Sequence, residues 1–221
     1  MLLNRMHVYR LSARVGSWAA LLGVVLGLAH GGTLVATPLL GGSASRAPFL
    51  ALAAAIPTLS AMVLVVLWAA IHACTAEEHK VLSLAGLAWV VLAAAVTVTP
   101  YFLRLALLPE QPPMESSANS GSVLPAGWPA VQQALEWLSF AFFGLACLFT
   151  APLFGGSGLQ RALRWTLVLS GLLGLAGAAQ PLVGQAFLSW AGTAAWGPGL
   201  ALVCVLLLGL FRRIARQAQE F

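Results

Sequence analysis

The chain has 221 residues, 60% of them hydrophobic and 8% charged, with a mean hydropathy of +0.92 and a formal net charge of +5. A soluble domain carries about 25% charged residues, so this composition cannot clothe a soluble globule and points to an integral membrane protein. There is no Asp and a single lysine, Lys80; the positive charge is distributed as topology requires, not as a nucleic-acid face, and no direct nucleic-acid contact is expected.

Met1–Arg14 is short and basic, with Arg5, Arg10 and Arg14. The apolar run behind it is too long for a signal-peptide core, so no cleaved leader is expected. Val15–Leu39 is free of charge and long enough to cross about 30 Å of hydrocarbon. Gly41-Gly42-Ser43 ends it. Phe49–Ala73 is predicted as a second span, kinked at Pro57, which membrane helices tolerate. Thr75–Lys80 is a tight polar turn. Val81–Leu107 makes a third span, with Pro100 in its outer part and Arg104 placed to snorkel near its end.

Leu108–Trp128 differs from everything around it. It holds four prolines, a Ser/Asn/Gly run, Glu110 and Glu115, and no Lys or Arg. Such a stretch cannot be a helix interior and reads as a loop. Beyond it, Ala130–Phe154 is a fourth span with Glu136 in its first part, and Gly155–Gly158 breaks it. Leu163–Leu188 is the expected fifth span and Ala191–Phe211 the sixth. The uncharged run Trp165–Phe211 must fold back, and Ser189–Pro198, with Gly192, Gly197 and Pro198, is the expected place. The predicted fold is all-α, a polytopic bundle of six transmembrane helices. Its parts are a head (1–14), helices 1–3 (15–107), an extracytoplasmic loop (108–128), helices 4–6 (129–211) and a tail (212–221).

Basic residues orient this bundle. With six spans, one side collects Arg5, Arg10, Arg14, Lys80, Arg161, Arg164, Arg212, Arg213 and Arg216, and the other only Arg46 and Arg104. The positive-inside rule places both termini in the cytoplasm and the long loop outside. Small residues at Gly23/Gly27, Ala51–Ala55 and Gly171–Ala179 allow close helix approach. Trp18, Trp128, Trp165 and Trp190 fall near the expected interfaces as an aromatic belt. Trp68, Trp89 and Trp137 lie deeper.

Candidate chemistry is thin. Cys74, Cys147 and Cys204 lack any ligand spacing and read as small hydrophobes. Gly155-Gly156-Ser157-Gly158 matches the GxSG motif of rhomboid proteases, but no histidine follows His79 to act as base, and the stretch reads as a flexible hairpin. His30 lies near mid-span and His72 at a helix end, depths that do not suit a haem pair. His30 is expected to be a hydrogen-bonded core residue. No catalytic, cofactor or metal residues are expected. Glu136 is the one carboxylate inside a span, and Arg104 comes from the same leaflet, so the two are expected to pair. Tyr101, Gln132, Gln133, Gln180 and Gln185 map near them, either as helix–helix glue or as a small polar pocket.

Size, about six spans and the absence of a soluble zinc-binding domain together resemble the membrane-bound anti-sigma factors of the myxobacterial carotenoid light response, over essentially the whole chain. The resemblance implies a protein that is not an enzyme. It implies that an extracytoplasmic-function sigma factor is held at the inner membrane in the dark and freed on illumination, which silences carotenoid biosynthesis genes until light. The cytoplasmic arginines (Arg5, Arg10, Arg14, Arg161, Arg164, Arg212, Arg213, Arg216) are then the expected partner-binding residues. The residues alone leave a second possibility open, a small transporter or ligand-binding membrane protein that uses the outer polar cluster.

Overall fold

The computed structural model describes residues 2–39, 46–107, 128–185 and 187–217. The predicted loop at 108–127 and the last four residues lie outside these. Every element among the described residues is helical. In chain order they are α1 (Leu2–Leu39), α2 (Arg46–Cys74), α3 (Lys80–Leu107), α4 (Trp128–Thr150), α5 (Leu159–Ala178), α6 (Gln180–Val183), α7 (Phe187–Ala194) and α8 (Leu200–Gln217). A 3₁₀ turn at Glu77–His79 leads into α3, another at Ala151–Leu153 follows α4, and a π-helical turn at Ala195–Gly199 joins α7 to α8.

Consecutive helices pack side by side from α1 to α5, and α7–α8 returns to lie between α5 and α1, closing the bundle. Small residues set the spacing, as the membrane demands when lipid is as apolar as leucine. Gly16 faces the ring of Phe211, Gly23 the thiol of Cys204, and Gly27 Ala201. Positions rise on α1 as they fall on α8, so the two are antiparallel and the two chain ends lie at one end of the bundle. On the other flank a Cβ at Gly144 would sit 2.7 Å from the Gly171 carbonyl oxygen, and one at Gly174 2.8 Å from that of Phe140. Backbone meets backbone there, and no larger residue fits without separating α4 from α5.

The interior carries an aromatic column. Trp68 of α2 meets Phe143 of α4 edge-on at 6.3 Å between centroids, and Phe143 meets Trp196 of the π turn at 5.1 Å. Trp68 also donates its indole N–H to Thr150 Oγ1 at 2.8 Å. Gly86 of α3 lies against that bond, where any side chain would strike the Thr150 hydroxyl. Large apolar side chains such as Leu28, Leu59, Met62, Leu172 and Val205 face outward, while Ser60, Ser83, Thr97, Thr150 and Ser170 are buried. That reversal is what a hydrocarbon surround selects.

Among the described residues five helices are long and apolar enough to cross a membrane: Tyr9–Thr33, Ala51–Cys74, Glu77–Ala106, Trp128–Leu153 and Phe187–Gln217. The chain is a multi-pass membrane protein. Helix α5 falls outside this group because Arg161 and Arg164 occupy its start and it stops at Ala178, leaving Trp165–Ala178 as its apolar length. At ~1.5 Å per residue that reaches ~21 Å.

The late part of the chain departs from the sequence reading. The fold-back is not at Ser189–Pro198 but at Ala179–Gln185, where Gly184 adopts a left-handed conformation (φ 71°) and its N–H bonds the Gln180 carbonyl at 2.8 Å. Ser189–Pro198 is helical. Pro198 lacks an N–H and crowds the carbonyl four residues back, and the π turn widens the helix enough to pass it. Helix α1 is continuous from Leu2 through the basic residues into the first span.

Thr150→Val leaves the Trp68 indole N–H buried and unpaired, so it is expected to cost about 1–3 kcal/mol. In thermal unfolding of the detergent-solubilised protein, Trp68→Phe should then cost less in the Thr150→Val background than in the parent. Additive effects would show that the bond contributes nothing.

Candidate functional site

Two regions bring polar chemistry together. The first is at the end of the bundle where the two chain ends meet. Here α2 stops in a turn tied down by its own side chains: Lys80 donates to the His72 carbonyl at 2.7 Å, His72 Nδ1 pairs with Ser83 Oγ at 2.8 Å, and Thr75 Oγ1 donates to the Ile71 carbonyl at 2.7 Å. The ammonium of the sole lysine thus caps a helix C-terminus, where the macrodipole favours a cation. Between this turn, the 153–160 turn and the end of α8 runs a groove of about 580 Å³. Its floor is apolar, with Ile71, Phe154, Leu207, Phe211 and Ile214, and its rim is polar, with Glu78, His79, Gln160, Arg213 and Gln217. Glu78 and His79 pair at 3.4 Å.

Of the candidate partner-binding arginines Arg213 lines this groove, and the others lie on helices at the same end of the bundle. Arg212, Arg213 and Arg216 are exposed on the last turns of α8, Arg161 and Arg164 on the first turns of α5, and Arg14 on α1 two residues before the Gly16–Phe211 contact. Arg10 is half-buried one turn further out, and Arg5 lies on the first turns of the same helix. Leu159 touches Gly209, which brings the start of α5 against the end of α8. Ser157 of the GxSG match and His79 both line the groove, but no hydrogen bond joins them, and His79 is paired to Glu78 instead.

The second region is a pocket of about 160 Å³ inside the bundle, where α1, α2, α3, α4 and the α7–π turn converge. Glu136 of α4 lies on its wall. Both hydrogen bonds to its carboxyl group fall on Oε1, from the Tyr101 hydroxyl at 3.1 Å and the Gln132 amide at 3.4 Å, and among the described residues none falls on Oε2. Arg104 is not one of its partners. The expected pair is therefore replaced by neutral donors, and geometry explains the difference. Tyr101 precedes Arg104 by one turn on the same face of α3, so its shorter, rigid phenol meets Glu136 first. Arg104 stands nearer the helix end, where a long stem reaches the interface.

Sequence reasoning missed most of this pocket. His30, expected to be hydrogen-bonded, lines it with Nδ1 buried and unpaired. Thr97, 5% exposed, lines it with Oγ1 unpaired. Ser139, Thr193 and Trp196 complete the wall. A signal was present: Pro57 and Pro100 lie inside α2 and α3 on the pocket wall and Pro198 lies in the π turn that carries Trp196, and π turns cluster at functional sites. Gln133, Gln180 and Gln185 do not line the pocket. His72 is at the basic end, apart from His30. Among the described residues no group of three His, Cys, Asp or Glu side chains could hold a metal ion.

No protein-family profile matches this chain, and neither a curated protein nor a solved structure does.

Removing the Tyr101 hydroxyl is expected to destabilise the bundle by about 0.6–2 kcal/mol, the range of interhelical hydrogen bonds in membranes. Arg104→Leu should stay under about 1 kcal/mol in the same thermal assay, because no buried partner is stranded. A loss of about 3–5 kcal/mol on Arg104→Leu, the cost of breaking a buried ion pair, would restore the Arg104–Glu136 pair.

Proposed function

We propose that this chain is an inner-membrane anti-sigma factor. It holds an extracytoplasmic-function sigma factor in the dark and releases it on illumination, repressing carotenoid biosynthesis genes. The observation that supports this reading is the groove at the basic end. An apolar floor of Phe154, Leu207, Phe211 and Ile214 with Arg213 on its rim, at the end of the bundle where exposed arginines of α1, α5 and α8 gather, suits an amphipathic helix with an acidic outer face. Such a helix buries its apolar stripe in a groove for affinity and uses complementary charge for rate and specificity. A volume of about 580 Å³ accommodates several anchoring side chains. The light dependence follows from the sequence resemblance.

The reading carries a topology of six crossings with both termini in the cytoplasm. Its supports are the antiparallel α1–α8 pair and the outward-facing Trp165, Leu169 and Leu172 on α5, which give that shorter helix a lipid-facing side. Reporter fusions after Ser120 and at Phe221 test it. A cytoplasmic signal at Ser120 or a periplasmic one at Phe221 would overturn it.

Capture is tested by purifying the tagged chain from solubilised membranes of dark-grown cells. A sigma factor is expected to co-purify and to be absent after illumination. Arg→Lys changes at 212, 213 and 216 keep the positive-inside charge but lose the planar bidentate fork. They should leave membrane insertion intact and reduce the captured partner several-fold. If wild-type protein brings down no sigma factor, the proposal fails.

A further inference from the structure

We propose that the pocket inside the bundle is a binding site for a small organic ammonium ion, with the Glu136 carboxylate as its counter-charge. The site is distinct from the groove at the basic end and does not depend on the docking proposal.

The polar groups facing the pocket are short of hydrogen-bond partners. Glu136 Oε2 accepts no hydrogen bond among the described residues. Thr97 is the more telling case. A buried hydroxyl on a helix ordinarily donates to the carbonyl four residues back, and in this protein Thr58, Ser60, Thr99, Thr166 and Thr193 all do so at 2.8–2.9 Å. Thr97 does not, and its Oγ1 is buried without a partner. His30 Nδ1 is in the same state. Pro100, with no N–H, has nothing to offer the Val96 carbonyl four residues back, and Val96 also lines the pocket. A carboxylate, a freed carbonyl, a hydroxyl and an imidazole nitrogen thus converge with no cationic side chain on the wall.

In a low-dielectric surround an uncompensated carboxylate is costly, and a cation placed beside it gains far more than it would in water. The remaining walls fix the kind of cation. Tyr101, Phe140 and Trp196 are on the wall, and aromatic rings attract ammonium groups through their quadrupole. A hard metal ion wants six or more oxygen ligands, which this wall does not supply. Size sets the limit. About 160 Å³ is close to the ~150 Å³ cavity that holds benzene and well below the ~300 Å³ at which drug-sized pockets begin. A short primary amine of about four to six heavy atoms fits, its ammonium protons shared among Glu136, Thr97 and the freed carbonyl.

The test uses the full chain in detergent or nanodiscs, with n-propylammonium chloride as probe and 1-propanol and sodium chloride as controls at constant ionic strength. Isothermal titration and thermal shift should show saturable binding of n-propylammonium to the wild type and none of either control. Glu136→Gln, which keeps an acceptor for the Tyr101 hydroxyl, should weaken binding at least tenfold. Thr97→Val, which preserves the branched shape, should weaken it several-fold. If Glu136→Gln does not give a monodisperse protein, Thr97→Val and Tyr101→Phe carry the comparison. Equal response to 1-propanol would make the pocket a neutral solvent site, and equal response to sodium would make it a metal site. Either result overturns the proposal, as does the absence of saturable binding or unchanged affinity in the variants.

Discussion

Hydrocarbon offers no hydrogen-bond partner, so every polar group that enters the bundle must be satisfied inside it. Most of this protein's architecture is an answer to that constraint. Buried Ser and Thr hydroxyls return to their own helix backbone one turn back. The Trp68 indole reaches across to Thr150, and Gly86 leaves the room that bond needs. Lys80 folds back to cap the end of α2 rather than standing free. With no hydrophobic force between helices, close packing supplies cohesion, and glycines at 144, 171 and 174 let α4 and α5 touch backbone to backbone.

Against that background the exceptions carry the information. His30 Nδ1 and Thr97 Oγ1 are buried and unpaired, and both face the pocket that Glu136 also lines. Pro57 of α2 and Pro100 of α3 line it, and Pro198 lies in the π turn that carries Trp196. The far end of the bundle has the opposite character: an open groove with an apolar floor and a polar rim that includes Arg213. The column Trp68–Phe143–Trp196 begins at the pocket wall and runs toward the helices whose ends form the groove.

Much of the fold was legible in the sequence because its signals are one-dimensional. Charge-free runs gave α2, α3 and α4 within a few residues and the end but not the start of α1, and the spacing of Gly23, Gly27, Gly171 and Gly174 marked faces that do pack closely. The late fold-back was not legible. Gly192, Gly197 and Pro198 look like a turn, yet a π turn keeps that stretch helical, while the break falls at the less conspicuous Ala179–Gln185. Glu136 was recognisable as a site residue because a lone carboxylate in a span is costly. Its partner was not, because choosing between Arg104 and Tyr101 depends on side-chain length and helix rotation, which charge counting ignores. Thr97, Ser139 and Thr193 were invisible for a similar reason: single hydroxyls are common in membrane helices, and only their convergence from separate helices distinguishes them.

The account stands or falls on whether the groove at the basic end receives the partner. A photo-crosslinking amino acid placed at Ile214 in the groove, and at Leu172 on the lipid-facing side of α5 as a control, reads this in intact dark-grown cells. The account predicts an adduct of sigma-factor mass at Ile214, absent at Leu172 and lost on illumination. No adduct at Ile214, or one of equal yield at both positions, would contradict it.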